Sequence, residues 1–538
     1  MISSRVGYLT KVRTRTFEGL AACPLVIFLL LSLLAASAAS GENPQEIHRA
    51  AALIQAGKLD EAEALLWDVL KQRPENAPAL NLLGSIRLQQ KRFAESETLL
   101  TRATSLTPDF LPARINLSRV FHAQSQIDKE IATLVEAARL APTDPEINTM
   151  LAAAYLKQND YRQSLEALQR IPAARRPDKA LPLLAASYLG LGSIREARAL
   201  VPAVMSRAAK NPGLLVEFSE VLLDFDLVPD AQAALQIAEK RPPLTSEFFL
   251  AMGRARERKG ELVLAQKNFQ RALDLDPKSV SALQALAHLL ADQGKWQKSM
   301  ELLARCRAIS PDSPEVLRKF AATSLHAGHA ADAVDAAQQL IKLRPEEAEA
   351  VYLLGVAQLQ NGDFEQARSS LEKYVKLRPA DPLALLALGM DEVNLRDFPA
   401  ARTNFEQCIQ LNPKQVEAYY ELGSLSKDQG DQPSAISYLE KAVAIDPGHA
   451  RAQALLGQLY LSQRDYSKAQ EHLTRAAELA PNVPDTHYQL GLLFARTNQH
   501  DHAQKEMDQF RKLKEKENPG PVSPGSAPAP TSPPYPPS

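Results

Sequence analysis

Between residues 246 and 481 two apolar stripes recur in every 34 residues, each with large apolar side chains three and four positions apart. That spacing buries one side of a helix, so each 34-residue stretch predicts two short antiparallel helices. Counting from Ser246 as position 1, positions 4, 7 and 24 are mostly large and apolar. Position 8 is small throughout: Gly253, Ala287, Ala321, Gly355, Gly389, Gly423, Gly457 and Gly491. Position 20 is small as well, running Ala265, Ser299, Ala333, Ala367, Ala401, Ala435, Ala469 and Ala503. Small residues on facing stripes allow close helix packing.

The punctuation agrees with the stripes. Prolines at 277, 311, 345, 379, 413, 447 and 481 keep an interval of 34, at position 32 of each unit, where they close the second helix. Position 15 is Gly260, Gly294, Gly328, Gly362 and Gly430, with Asn498 in the last unit, residues that accept the left-handed conformation ending the first helix. Asp363, Asp397, Asp431 and Asp465 follow at position 16, placed to cap the second helix. A period that does not drift describes one stacked array, because each unit must meet its neighbours in register.

A unit such as L-L-G-V-A-Q-L-Q-N-G-D-F-E-Q-A-R-S-S-L-E-K-Y-V-K-L-R-P, residues 353–379, resembles the tetratricopeptide repeat. The resemblance implies an all-α fold, a right-handed α-α superhelix (solenoid) of about fourteen helix-turn-helix units. Extended backwards, units begin at 43, 77, 111, 145, 178 and 212, with one missing residue near Pro177, so the array covers 43–517. Its middle is irregular. Glu130 stands at a position that is Ala or Ser in thirteen other units, and Pro172, Pro177, Pro182, Pro202 and Pro212 crowd the units between 145 and 243, predicting shortened or kinked helices. The surviving phase favours ordinary divergence there over a flexible joint.

The ends differ in composition. Residues 1–18 are basic, 25–34 are apolar but for Ser32, and Ala36-Ser37-Ala38 then supplies an A-x-A site, the order of a secretory signal peptide. The competing reading is a retained anchor, since residues 21–39 carry no charge and approach the length of a membrane span. The small residues ending the run favour cleavage. Leu20-Ala21-Ala22-Cys23 resembles a lipoprotein box but precedes the apolar run instead of following it. At the other end, 511–516 is densely charged and suits a solvated terminal helix, and 518–538 is rich in Pro, Ser, Ala and Gly, a composition expected to be disordered.

Charge and cysteine content narrow the function classes. Arg5, Lys11, Arg13 and Arg15 against Glu18 give the leader +3, so a total of −1 leaves −4 on the remainder and no basic field for nucleic acid. Cys306 and Cys408 share position 27, where Ala is usual, and are expected as small buried residues held too far apart to pair. No G-x-x-x-x-G-K-[ST], H-E-x-x-H or G-x-S-x-G occurs, and the array leaves little chain for a catalytic domain, so a non-enzyme is expected. His326 with His329, and His500 with His502, fall at or beside turns without an evident third ligand; neither a metal nor a cofactor is implied.

Tetratricopeptide arrays bind proteins or peptides on the inner face of their first helices, and the resemblance places positions 2, 5, 9, 12 and 13 there. Tyr352, Tyr420 and Tyr488 fall at position 5, two units apart, as candidate apolar anchors. Arg318 is also at position 5, Arg254 at position 9, and Arg258 and Asp292 at position 13. An alternative is that the three rings only pack between neighbouring helices, as Ile47, Ile115 and Leu250 do at the same position. No unit has Asn at position 9, which disfavours the family's chaperone-tail clamp, and Asn116 alone matches the asparagine ladder of the glycosyltransferase-linked arrays. The expectation is therefore a non-catalytic scaffold of the cell envelope, periplasmic or secreted, touching membrane only through an uncleaved N-terminal segment. The alternative is a regulatory or targeting subunit of a separately encoded enzyme such as a glycosyltransferase.

Overall fold

The computed structural model describes residues 44–517, so the signal, anchor and tail expectations lie outside the described residues. Among the described residues there are helices and turns and no strand, ordered as fourteen consecutive pairs from Pro44–Gln55 with Leu59–Gln72 to Pro484–Arg496 with His500–Glu517. Fourteen residues have positive φ, one per pair, from Gly57 and Lys91 through Asn159, Gly192 and Gly362 to Asn498. Their spacing is 34 except between Asn159 and Gly192, where it is 33. Glycine holds this left-handed turn at no steric cost, whereas Arg396 and Arg464 hold it with a side chain attached.

Three of the four position-16 aspartates act as caps. The backbone N–H groups of Ala400, Ser434 and Lys468 donate to Asp397, Asp431 and Asp465 at 3.3, 3.2 and 3.2 Å. Asp363 does not: its carboxylate accepts from Asn361 Nδ2 at 2.7 Å and is drawn away from the helix end.

Within a pair, position 8 meets position 24. Gly253 and Gly389 face the rings of Phe269 and Phe405, and Gly355, Gly423 and Gly457 face Leu371, Leu439 and Leu473. These five large side chains have no exposed surface, and large buried side chains supply most of the apolar stabilisation of such a pair. At two of the position-20 serines the hydroxyl donates across the same contact, Ser96 to the Gly84 carbonyl and Ser299 to that of Ala287, both at 2.7 Å. Cys306 and Cys408 are buried and are not joined in a disulfide.

The chain divides after Ala282 into two compact units. In the first, one core cluster runs from Ile47 and Leu66 through Leu83 and Leu100 to Phe121. In the second, core residues form successive clusters about Leu371, Phe405 and Leu473, as expected when each pair packs mainly on its neighbours. The irregular middle lies inside the first unit. There the second helix of one pair is only Tyr161–Gln169 followed by the 3-10 turn Ala173–Arg175, and that of the next is split into Ile194–Arg198 and Val201–Arg207. Pro202 lacks an N–H to donate back into the preceding turn, and the chain breaks at Ala199–Leu200.

Candidate functional site

Stacking brings the first helices of neighbouring repeats side by side, and polar residues there bond across the repeat boundary. Asn116 Nδ2 donates to Asn81 Oδ1 at 2.9 Å and Arg119 to Glu146 at 2.6 Å.

In the first unit, Arg254 is ion-paired with the largely buried Glu220 of the preceding repeat. Burial opposes its charge, but the carboxylates of Glu220, Asp224 and Glu257 outweigh burial and hold its pKa above the ordinary arginine value. Arg258 reaches Asp226 at 3.4 Å, with both groups open to solvent.

In the second unit, Asp292 lies 3.3 Å from His288 on the same helix. Arg318 pairs with Glu347 and stands 3.4 Å from Glu349. The three candidate arginines are thus already engaged by carboxylates, most of them from an adjoining repeat. They are linkers between units more than charges held out to a partner.

The three position-5 tyrosines have different surroundings. Tyr352 is 4% exposed and packs on Tyr374 with ring centroids 5.0 Å apart. The expectation of an anchor is corrected there: Tyr374, from the second helix of the same repeat, draws the Tyr352 ring into the core beside Val351 and Leu353. Tyr488 is 39% exposed and rests on Phe510 at 5.4 Å.

Tyr420 is half-buried in a polar cluster that sequence reading did not assemble. The Arg451 guanidinium lies 4.6 Å from its ring centroid, the His449 ring at 5.3 Å, and both His449 and Arg451 bond Glu417, at 3.2 and 2.8 Å. Burial raises the Glu417 pKa, but bonds from His449 and Arg451 outweigh it and leave the group below the ordinary value. Glu421, one helical turn on, has no ion pair or hydrogen bond among the described residues. Burial pushes it up to about 7, with Glu417 adding and Arg451 opposing. The available signal was Glu417 and Glu421 four residues apart on either side of Tyr420, facing Arg451 at position 2 of the next repeat. Such a site offers an aromatic surface and a half-protonated carboxylate to a basic or apolar side chain.

His326 stacks on Trp296 at 4.2 Å, His329 bonds Gln297 at 3.0 Å, and His502 lies 5.3 Å from Phe494. No group of three or more His, Cys, Asp or Glu among the described residues is arranged to hold a metal ion.

Profiles of the tetratricopeptide repeat match residues 53–117, 121–187, 258–321 and 426–490, and a second profile of that repeat matches 325–382 and 386–450. The chain belongs to the tetratricopeptide repeat family, whose members mediate protein–protein interaction. It is 23% identical over 304 residues to Protein CTR9 homolog of Arabidopsis thaliana, covering 54% of this chain and 28% of that protein. It is 27% identical over 275 residues to Cellulose synthase operon protein C of Xanthomonas axonopodis pv. citri (strain 306), covering 47% of this chain and 18% of that one. The chain thus spans less than a third of either relative. Among solved structures, the APC/C hetero-tetramer Cut9-Hcn1 is similar at 14% identity and TM-score 0.39, covering 82% of this chain and 95% of that one. A tetratricopeptide repeat protein from Parabacteroides merdae is similar at 20% identity and TM-score 0.42, covering 46% and 98%.

Proposed function

We propose that the protein is a non-catalytic scaffold of the cell envelope that binds a protein or peptide partner on its first helices, at the cluster around Tyr420. The observation that carries this reading is the half-buried Tyr420 ring beside Glu421, a carboxylate with no ion pair or hydrogen bond among the described residues. A partner segment with a basic residue next to an apolar one would satisfy both. The envelope setting rests on the leader alone.

The name of the Xanthomonas relative favours a second reading, in which the chain is a regulatory or targeting subunit of a separately encoded enzyme such as a glycosyltransferase. Co-purification with an activity that the isolated chain lacks would select it.

A crosslinking pull-down of the full chain from its native envelope tests the site. Tyr420→Ala is expected to weaken capture by about 2 kcal/mol, roughly thirtyfold in Kd, with helicity unchanged. Glu421→Gln should remove a pH dependence in which binding weakens as pH falls below about 7, because only the ionised carboxylate attracts a cation. Tyr352→Ala serves as the contrast, lowering stability by about 3–5 kcal/mol through loss of a core ring. Capture that survives Tyr420→Ala and Glu421→Gln unchanged would move the site away from this cluster.

A further inference from the structure

Beside the broken second helix of the fifth repeat lies an apolar slot. In most repeats position 24 is a large buried residue, such as Phe269 or Phe405. Here position 24 is Val201, and the break at Ala199–Leu200 turns it outwards to 40% exposure, while Val204 is 1% exposed. The ring of Phe218 and the side chain of Leu222, from helix Gly213–Asp224, are buried at 2% each and form one wall of the slot. On the far side, helix Val228–Glu239 presents Ala234 and Ile237. The slot measures about 130 Å³ and is lined by four helix segments, Ile194–Arg198, Val201–Arg207, Gly213–Asp224 and Val228–Glu239. At its polar end Arg198 holds Asp230 through two bonds, Nε at 3.0 Å and Nη2 at 2.8 Å.

We infer that this slot is a binding site for a small uncharged molecule built on a single aromatic ring, with one hydroxyl or ring N–H directed at Asp230. Size and lining select the ring: an apolar cavity of about 150 Å³ walled by Leu, Ile and Phe takes benzene, and this slot, open to solvent at Val201, has walls of the same kind. A carboxylate has about four lone-pair sites, so Asp230 can accept from a ligand while it holds Arg198. The inference does not depend on the partner-binding reading and involves different residues.

The test uses the full chain with methyl-labelled Leu and Val, titrated with phenol and with benzene and followed by methyl NMR. Saturable shifts are expected at Val201, Val204, Leu215 and Leu222, with phenol several-fold tighter than benzene. Ala234→Leu, which fills the slot, should weaken phenol binding by about tenfold or more while the spectrum elsewhere stays intact. Should that variant fold poorly, Ala233→Leu fills the slot from the adjacent position. Absence of saturable shifts at these methyls in the unmodified protein overturns the site. So does binding unaffected by the filling substitution, and benzene binding as tightly as phenol removes Asp230 from it.

Discussion

Asp391 shows how much one side chain can depart from the rule of its position. Position 10 is Leu289, Leu425, Leu459 and Leu493 in other repeats, yet here a carboxyl group with no exposed surface sits in the same place, and neither of its oxygens is hydrogen-bonded. Burial pushes its pKa up to about 7; Arg368 opposes the shift and Glu392 and Glu365 reinforce it. An ordinary aspartate in the unfolded chain titrates near 4. Between these values the folded state binds the extra proton, so the neutral group's contribution is fully present below about pH 4 and is lost as pH rises through about 7. Asp391→Leu is therefore expected to stabilise the protein at pH 8 by about 1–3 kcal/mol, the cost of an unsatisfied buried polar group. The gain should shrink towards pH 5. Urea unfolding of both proteins from pH 5 to 8.5 checks this, and a pH-independent difference would mean that Asp391 does not titrate in the folded state.

At the scale of elements, the helix pair depends on the contact between positions 8 and 24. An added Cβ at Gly389 would stand 2.5 Å from Phe405 Cε1 and 2.8 Å from Cδ1, closer than real side chains approach. Gly389→Val, and Ala367→Leu at a position-20 contact with no exposed surface, should each cost about 1–3 kcal/mol by overpacking. Since pairs pack mainly on their neighbours, lost hydrogen-exchange protection should concentrate in Pro382–Asn394, Phe398–Leu411 and the adjoining pairs for Gly389→Val. Uniform loss along all fourteen pairs would contradict a linear array.

For the molecule as a whole, the fourteen pairs build two compact units with their own cores, and no described helix is long and apolar enough to cross a membrane. The export prediction concerns residues before this array. If Ala36-Ser37-Ala38 is cut, the mature chain begins near Ala39 and is released from membranes by salt or carbonate, and intact mass reads this directly. A mature chain that still carries residues 25–34 would make the segment an anchor.

The sequence by itself determined what repeats locally: the helix pairs, the glycines and Asn498 of the left-handed turn, the missing residue near Pro177, and the small contact residues at positions 8 and 20. Such features follow from backbone conformation and from apolar spacing within one unit, and both are written in consecutive residues. Only the tertiary structure decided what neighbouring units do to a given position. Tyr352, Tyr420 and Tyr488 share one place in the repeat, yet Tyr374 buries the first, Arg451 and His449 flank the second, and Phe510 leaves the third partly open. The pairing of Arg254 with Glu220 and the isolation of Asp391 arise in the same way. Burial and charge balance are sums over side chains that can lie a full repeat away, and those side chains vary where the period does not.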